Sequence, residues 1–310
     1  MTDAPQPELP DPIAVIRADG PWTHLDVSAN GSRFHVVEAG SGPLVVLLHG
    51  FPLFWWSWRR SLHVLAGAGY RVVAMDLRGY GGSDRPPHGY DPFTLSADVA
   101  AVIRSLGEND AVVVGHGLGG LLAWTMGALH ADVVRGIVPV AMAHPDRLRT
   151  AMLRQRAQRR SGWYAVGFQW PLVPERRLTA HDAQQVERFL RRWSATEGWP
   201  SAQEVATYRS AMLLPGTAYG ALEFYRWALR SILRRDGRRF VAAALEPVTV
   251  PVLQVHGRLD PAILPATVDG SEQHVSASYR RVDLDCGHVP HEEVPEAFHA
   301  ALLPWLSDLG

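Results

Sequence analysis

Residues Val112-Val113-Val114-Gly115-His116-Gly117-Leu118-Gly119-Gly120 decide the fold, because they combine a strand pattern, a sharp turn and a helix start. The β-branched run at the beginning is typical of a strand. The apolar segment 121–129 that follows is typical of a buried helix. Gly115 and Gly119 stand where a tight turn brings the backbones of strand and helix close together.

The centre of this turn holds Gly117, which has no side chain. A strand, sharp turn and helix with the spacing G-x-Nu-x-G form a nucleophile elbow, which lifts a Ser, Asp or Cys above the sheet. The sequence therefore predicts that the scaffold of a covalent hydrolase is present and that its nucleophile is missing.

The composition is that of an ordinary globular chain. Of 310 residues, 47% are hydrophobic and 20% are charged, and the net charge of −1 gives no general attraction to nucleic acid. No apolar run approaches the roughly 18 residues that a membrane span requires. Cys286 is the single cysteine, so no intrachain disulfide can form, which favours a reducing compartment. We expect a cytoplasmic protein whose residues 1–20, which lack the apolar segment of a signal peptide, are a flexible N-terminus.

Strand and helix patterns alternate along the chain. Asn30-Gly31 between 23–27 and 33–38 predicts a β-hairpin. We expect a helix from Trp56 to Ala66 and another that Thr94 caps. Further strands are predicted at Leu44–Leu48, Arg71–Met75, Gly136–Val140, Val252–His256 and Tyr279–Leu284. This alternation predicts an α/β protein with a mostly parallel, doubly wound sheet.

The alternation stops after about Ala143. Residues 146–240 are helical in character and contain 18 Arg against 8 acidic residues, an excess of ten positive charges. The strand pattern returns at Val252. We therefore expect a helical insertion inside one α/β domain, with many of the chain's aromatic residues in it.

Asp260 and His288 each follow a predicted strand, where α/β sheets place their sites. The order of elbow, acid and histidine along the chain is that of the α/β-hydrolase triad. In that arrangement Asp260 orients the His288 imidazole, and His288 is the general base. Taken alone, each residue has a structural interpretation, since Asp before Pro is a common turn residue.

His49-Gly50-Phe51-Pro52 follows the first buried strand. The N–H groups of Phe51 and Leu118 are the expected oxyanion hole. His49, Pro52 and Trp56 are the expected substrate-binding residues. Cys286 lies two residues from His288 without a second base, so we do not expect it to replace the nucleophile.

These motifs resemble those of α/β-hydrolase-fold epoxide hydrolases. The resemblance covers roughly residues 20–305. It rests on His49-Gly50-Phe51-Pro52 with Trp56-Ser57-Trp58-Arg59, on Asp76-Leu77-Arg78-Gly79-Tyr80-Gly81, and on Asp285-Cys286-Gly287-His288. It implies an α/β-hydrolase core over 21–144 and 243–310, with the insertion at 145–242 as a helical cap.

The family uses two cap tyrosines to protonate the opening ring oxygen. One precedes a Phe-Gln-x-Pro stretch by four residues, which matches Tyr164 before Phe168-Gln169-Trp170-Pro171. The other directly precedes an Arg, which matches Tyr225. Core aromatic packing at helical spacing is the alternative interpretation of both residues.

The chain departs from the family at the elbow. The family has Gly-x-Asp-Trp-Gly-Gly, whereas Gly117 and Leu118 occupy the two middle positions here. The sequence is thus similar to an epoxide-hydrolase-like branch without the elbow Asp. Haloalkane dehalogenases are less similar, because they usually have Asn in place of Phe51 and Trp in place of Leu118.

Two functions remain open from the sequence. One is slow hydrolysis of a small or medium apolar epoxide, in which His288 and Asp260 activate water and Tyr164 and Tyr225 donate protons. The other is ligand binding or protein interaction without catalysis on a hydrolase scaffold. We expect a small-molecule substrate, no cofactor, no metal and no nucleic acid; the oligomeric state stays open.

Overall fold

The structure is a computed structural model that describes residues 8–309. Its centre is one sheet of eight strands in the order β1-β2-β4-β3-β5-β6-β7-β8. The strands are β1 Thr23–Ala29, β2 Ser32–Ala39, β3 Leu44–Leu48, β4 Arg71–Met75, β5 Ala111–His116, β6 Val134–Val140, β7 Val252–Gly257 and β8 Tyr279–Leu284. Strands β1, β2 and β4 pair antiparallel, and the pairs from β4 to β8 are parallel. The expected mostly parallel sheet and its hairpin are confirmed.

Helices connect the strands. They are α1 Pro12–Ile16, α2 Arg59–Gly67, α3 Pro92–Ser105, α4 Leu118–Leu129, α5 Pro145–Arg154, α6 Arg156–Ser161, α7 Tyr164–Gly167, α8 Val173–Trp193, α9 Ala202–Met212, α10 Thr217–Arg230, α11 Arg235–Leu245, α12 Pro265–Val268, α13 Pro290–Glu293 and α14 Pro295–Asp308. Within residues 8–309, every helix is too short or too polar to cross a bilayer.

Strand β5 lies in the middle of the sheet, between β3 and β6. Every residue of β3 and β5 is buried, as expected for apolar, β-branched strands that helices cover on both faces. Because β5, β7 and β8 are parallel, their carboxyl ends meet at one edge of the sheet. The elbow, Asp260 and His288 therefore come to the same edge.

The N-terminus differs from the sequence prediction. A flexible segment was expected over residues 1–20, but Pro12–Ile16 forms α1, with the Asp11 carboxylate accepting from the Ile13 and Ala14 N–H groups. Val15 and Ile16 are buried. The prediction was wrong for this part because α1 packs on a distant surface, where the Trp55 indole donates to the Ile16 carbonyl at 2.9 Å. Residues 1–7 lie outside the described residues.

Two helix starts also differ. The helix expected from Trp56 is a 3₁₀ turn, Trp55–Trp58, before α2 begins at Arg59. Helix α3 is capped by Asp91, whose carboxylate accepts from the Thr94 N–H at 3.0 Å. Thr94 therefore lies inside the first turn, because Pro92 fits at the first helical position and moves the cap upstream.

Helices α5 to α11 lie between β6 and β7 and are called the inserted segment here, residues 145–245. Within α8, residues 180–183 depart from helical geometry and divide it into two helical pieces. The inserted segment contacts the loops at the carboxyl edge of the sheet. Phe51 of the core, for example, packs edge-on against Phe189, with ring centroids 5.3 Å apart.

Candidate active site

The chain makes the expected sharp turn at the end of β5. Gly117 has φ 53° and ψ −112°, a backbone conformation that residues with a side chain rarely adopt. Its N–H donates to the Val140 carbonyl at 3.0 Å, and its carbonyl accepts from the Leu121 N–H at 3.0 Å. The turn is thus held by the neighbouring strand and by the first turn of α4.

The two glycines that flank the turn, Gly115 and Gly119, are required because neighbouring backbone atoms approach them closely. A Cβ atom on Gly115 would lie 1.9 Å from the Gly119 carbonyl oxygen, and one on Gly119 would lie 2.2 Å from the Leu48 carbonyl oxygen. Neither space can hold a methyl group, since carbon and oxygen need more than 3 Å. Gly115 and Gly119 are therefore glycines for the steric reason that the sequence predicted, the close approach of two backbones.

Gly117 is different, because it has space for a side chain. A Cβ atom there would lie 3.7 Å from the Gly50 Cα and 3.7 Å from Nε2 of His288, both ordinary contact distances. A side chain at this position would therefore point towards the His288 ring. The predicted nucleophile position thus has space for a side chain and is occupied by a glycine.

His288 and Asp260 form the expected pair. His288 Nδ1 lies 2.8 Å from Asp260 Oδ2, and the other carboxylate oxygen accepts from the N–H groups of Ala262 and Ile263 at 2.8 and 3.0 Å. A carboxylate only accepts, so Nδ1 of His288 carries a proton. In the neutral ring, Nε2 is then the basic nitrogen and faces Gly117.

The main chain of His288 is held from two sides. Its N–H donates to the Trp193 carbonyl of α8 at 2.8 Å. Its carbonyl accepts from Nε2 of His116, the elbow residue, at 2.7 Å. Burial lowers the pKa of His116 well below its ordinary value, and the nearby His288 adds to this, so His116 is a neutral donor. These two bonds join the elbow and the inserted segment to His288.

The expected oxyanion hole has free donors. Within residues 8–309, the N–H groups of Phe51 and Leu118 have no hydrogen-bond acceptor. Phe51 follows β3, and Leu118 is the first residue of α4. Unpaired N–H groups at a helix start are the type of donor that stabilises a negative oxygen.

His49, which the sequence predicts to bind substrate, lies at the start of the loop after β3. Its side chain is fully buried, and its ring contacts the Gly50 carbonyl through Nδ1 at 3.0 Å. The other ring nitrogen, Nε2, accepts from the Leu77 N–H at 3.1 Å. Because both nitrogens bind backbone, His49 shapes the loop that presents Phe51. Pro52, which follows Phe51 through a cis peptide bond, is buried in the same loop.

Trp56, which the sequence also predicts to bind substrate, lies in the 3₁₀ turn before α2. The Arg59 guanidinium lies over its ring, 3.6 Å from the ring centroid, and Tyr208 packs against it edge-on. Trp56 therefore stabilises the contact between the 3₁₀ turn and α9 of the inserted segment. The sequence could not reveal this, since its partner Tyr208 is far along the chain.

The structure brings Tyr164 and Tyr225 together. Their ring centroids lie 5.9 Å apart, and Tyr164 also packs against Trp193, which in turn contacts His288 with ring centroids 5.2 Å apart. Burial raises the pKa of Tyr164 to about 12, an effect that Tyr225 offsets in part. Burial also raises the pKa of Tyr225 well above its ordinary value. Both phenols therefore keep their protons at neutral pH.

Aromatic rings surround the two tyrosines. Phe51, Phe168, Phe189 and Trp193 contact one or both of them or each other. The sequence prediction did not assign Phe189 or Trp193 to the site, although their spacing of four residues places them on one helix face. Trp163 and Trp170, two other aromatic residues of the inserted segment, are 70% and 69% exposed.

Comparisons with known proteins identify the family. The family model described as the α/β-hydrolase fold matches residues 43–295. The chain belongs to the α/β-hydrolase family. The matched range of this α/β hydrolase includes the elbow, Asp260 and His288.

Named relatives narrow the comparison within the family. Epoxide hydrolase 3 of Xenopus tropicalis is 32% identical over 302 residues, 94% of this chain and 79% of that protein. Epoxide hydrolase A of Mycobacterium tuberculosis is 31% identical, over 94% of this chain and 99% of that protein. The crystal structure of epoxide hydrolase A from Mycobacterium thermoresistibile superposes with a TM-score of 0.81 at 28% identity, over 92% and 98% of the two chains. This α/β hydrolase is therefore epoxide-hydrolase-like.

Proposed function

We propose that the protein hydrolyses a small or medium apolar epoxide by direct attack of water. The supporting observation is the His288–Asp260 pair, at 2.8 Å, with Nε2 of His288 facing the space at Gly117. No ester to the enzyme can form at Gly117, because it has no side chain. A water molecule in that space would be within reach of the base.

The proposed reaction conserves protons. His288 Nε2 takes a proton from water as the water oxygen attacks one ring carbon. The carbon–oxygen bond of the epoxide breaks, and the ring oxygen takes a proton from Tyr164 or Tyr225. The phenolate then recovers a proton from His288, and a diol leaves. The raised pKa values of both phenols support this role, because each is protonated before the reaction.

In this proposal the inserted segment is the cap, over residues 145–242, and the core comprises 21–144 and 243–310. The substrate lies between the two. The aromatic rings of Phe51, Phe168, Phe189 and Trp193 favour an apolar substrate, since apolar surface gains by leaving water. Turnover is expected to be slow, because losing a triad nucleophile costs about a million-fold in a serine protease.

A second candidate function is ligand binding without turnover. The observation that favours it is Gly117 itself, at the nucleophile position. Ligand binding needs an apolar surface such as the aromatic rings around Tyr164 and Tyr225 and does not need a proton relay, so this candidate gives His288 no role in chemistry.

A matched pair of histidine variants separates the two functions. The purified protein is incubated with a panel of apolar epoxides, and diol is measured. His288→Gln is expected to abolish diol formation, whereas His63→Gln, at an exposed position of α2, leaves it unchanged. A tightly bound ligand with no diol from any epoxide would instead establish the binding function.

A further inference from the structure

The position of the missing nucleophile is a small gap with defined walls. Among residues 8–309, a Cβ atom on Gly117 would have two neighbours within 4 Å apart from its own chain neighbours, namely Gly50 Cα and His288 Nε2. The backbone already has the left-handed φ of 53° that presents a group at this point. A heavy atom bonded at this position would therefore make ordinary van der Waals contacts with both neighbours.

Two backbone donors are available for such a group. The N–H groups of Phe51 and Leu118 donate to no acceptor within the described residues. Leu118 begins α4, a helix of 12 residues, and the partial positive charge at a helix N-terminus favours an anion.

A third donor is independent of the helix. The His288 side chain is only 6% exposed, and its Nε2 makes no hydrogen bond within residues 8–309. That nitrogen points at the Gly117 gap, 3.7 Å from the place of a Cβ atom. When both ring nitrogens carry protons, the ring donates to Asp260 from Nδ1 and into the gap from Nε2.

The charges around the gap also favour an anion. The Asp260 carboxylate already accepts from Ala262, Ile263 and His288, so its charge is compensated. Behind the elbow, His116 is a neutral donor to backbone, because burial lowers its pKa. An anion in the gap would therefore meet donors on several sides.

We propose that the gap at Gly117 binds a small free monocarboxylate, of the size of formate or acetate, which supplies the nucleophile that the chain lacks. This proposal deepens the proposed epoxide hydrolysis and rests on it. The carboxylate would place one oxygen at the Phe51 and Leu118 N–H groups and the other towards the substrate. Gly50 Cα, 3.7 Å from the place of the Cβ atom, limits the size of the acid.

The reaction is balanced with the carboxylate as co-reactant. One carboxylate oxygen attacks an epoxide carbon, so a carbon–oxygen bond forms while the ring bond to that carbon breaks. The ring oxygen takes a proton from Tyr164 or Tyr225, and the phenolate recovers a proton from protonated His288. The product is a free hydroxyalkyl ester. Water activated by neutral His288 can then hydrolyse it to the diol and return the carboxylate.

Binding is tested first, without any epoxide. Acetate is titrated into the whole protein while the ring resonances of His288, assigned with His288→Gln, are followed by NMR at constant ionic strength. A saturable shift is expected in the natural protein and none in Gly117→Asp, whose own carboxylate fills the gap. An equal shift in Gly117→Asp would contradict the proposed carboxylate site. An equal shift with chloride in the natural protein would also contradict it, and this comparison does not require that the variant folds.

Turnover is tested second, with ¹³C-labelled acetate and styrene oxide. The natural protein is expected to consume epoxide roughly tenfold faster or more at saturating acetate, and labelled ester is expected by mass spectrometry after rapid quenching. Diol formation that acetate does not accelerate would overturn the nucleophile role while keeping the water reaction. Acetate binding with neither ester nor diol would overturn epoxide hydrolysis and leave the carboxylate site standing.

Discussion

The rings of His144 and His274 are stacked, with centroids 3.9 Å apart and planes 10° apart. His144 lies just before α5, where its Nδ1 accepts from the Asp146 N–H at 3.4 Å, and its side chain is buried. Burial, reinforced by the nearby His274, lowers the pKa of His144 from 6.5 to about 3. The start of the inserted segment thus contains a histidine that is kept neutral.

The protein is expected to lose stability in mild acid because of this pair. The unfolded chain takes up a proton on His144 below about pH 6.5, whereas the folded chain does so only near pH 3. The stabilisation is therefore complete above pH 6.5 and is lost as the pH falls towards 3. At pH 5 the protonation of this one residue in the unfolded chain lowers the free energy of unfolding by about 2 kcal/mol. Urea unfolding at pH 7 and pH 5 measures it.

His144→Asn is the matched control for that prediction. Asn keeps a side-chain acceptor for the Asp146 N–H, as a helix cap does, and does not titrate. Its free energy of unfolding should fall by about 2 kcal/mol less than that of the natural protein between pH 7 and pH 5. An equal fall in the free energy of unfolding in both proteins would contradict the conclusion that His144 causes the acid sensitivity.

Gly117→Asp is expected to restore covalent chemistry. The Asp side chain would enter the space in front of His288 Nε2, where it could attack an epoxide and form an enzyme ester. In Gly117→Asp/His288→Ala the ester should accumulate, since the base that releases it is gone. Rapid quenching with mass spectrometry detects the mass of the added substrate.

Gly117→Asn/His288→Ala is the control for size and backbone strain, because the amide is a poor nucleophile. Both Gly117 variants should be destabilised by roughly 1–3 kcal/mol, since a side chain must adopt φ 53°. A folded Asp variant with no adduct from any reactive epoxide would show that the pocket does not accept such substrates.

Gly115→Ala and Gly67→Ala are expected to have opposite effects. A methyl group at Gly115 would lie 1.9 Å from the Gly119 carbonyl oxygen, so the strand and helix would have to separate and the protein should fail to fold. Within the described part of the chain, a methyl group at Gly67, the last residue of α2, would have no neighbour within 4 Å beyond its chain neighbours and the backbone of its own helix. Gly67→Ala should raise the free energy of unfolding by up to about 1 kcal/mol. Soluble yield and urea unfolding distinguish the two outcomes.

Tyr208→Phe should weaken the junction between core and inserted segment. The Tyr208 hydroxyl of α9 donates to the buried Glu292 carboxylate of α13 at 2.7 Å, and Arg59 pairs with the same carboxylate. Burial raises the pKa of Glu292, and Arg59 opposes that shift. Losing a hydrogen bond to a buried carboxylate should cost about 2 kcal/mol in unfolding free energy.

Tyr219→Phe provides the comparison for Tyr208→Phe. The Tyr219 hydroxyl donates to the Pro87 carbonyl at 3.0 Å but is exposed, so water can replace the bond. Its loss should cost less than about 0.5 kcal/mol. Similar losses in the two variants would mean that the buried contact to Glu292 contributes little to stability.

Local sequence patterns determined the sheet and the elbow. The Val112–Val114 run and the spacing of Gly115 and Gly119 specify a buried strand and a tight turn, because β-branching and steric exclusion act within a few residues. The order of strands also placed Asp260 and His288 at one edge, since parallel strands end together.

Only the tertiary structure decided which loop side chains face the site. The His49 ring accepts a hydrogen bond from the Leu77 N–H, and the Trp56 ring packs against Arg59 and Tyr208. Trp193 came to His288 from the inserted segment. The rotamer of a loop side chain depends on the partners that pack against it, and these partners are distant in sequence. Local patterns therefore place a residue on a loop, and long-range packing sets the direction of its side chain.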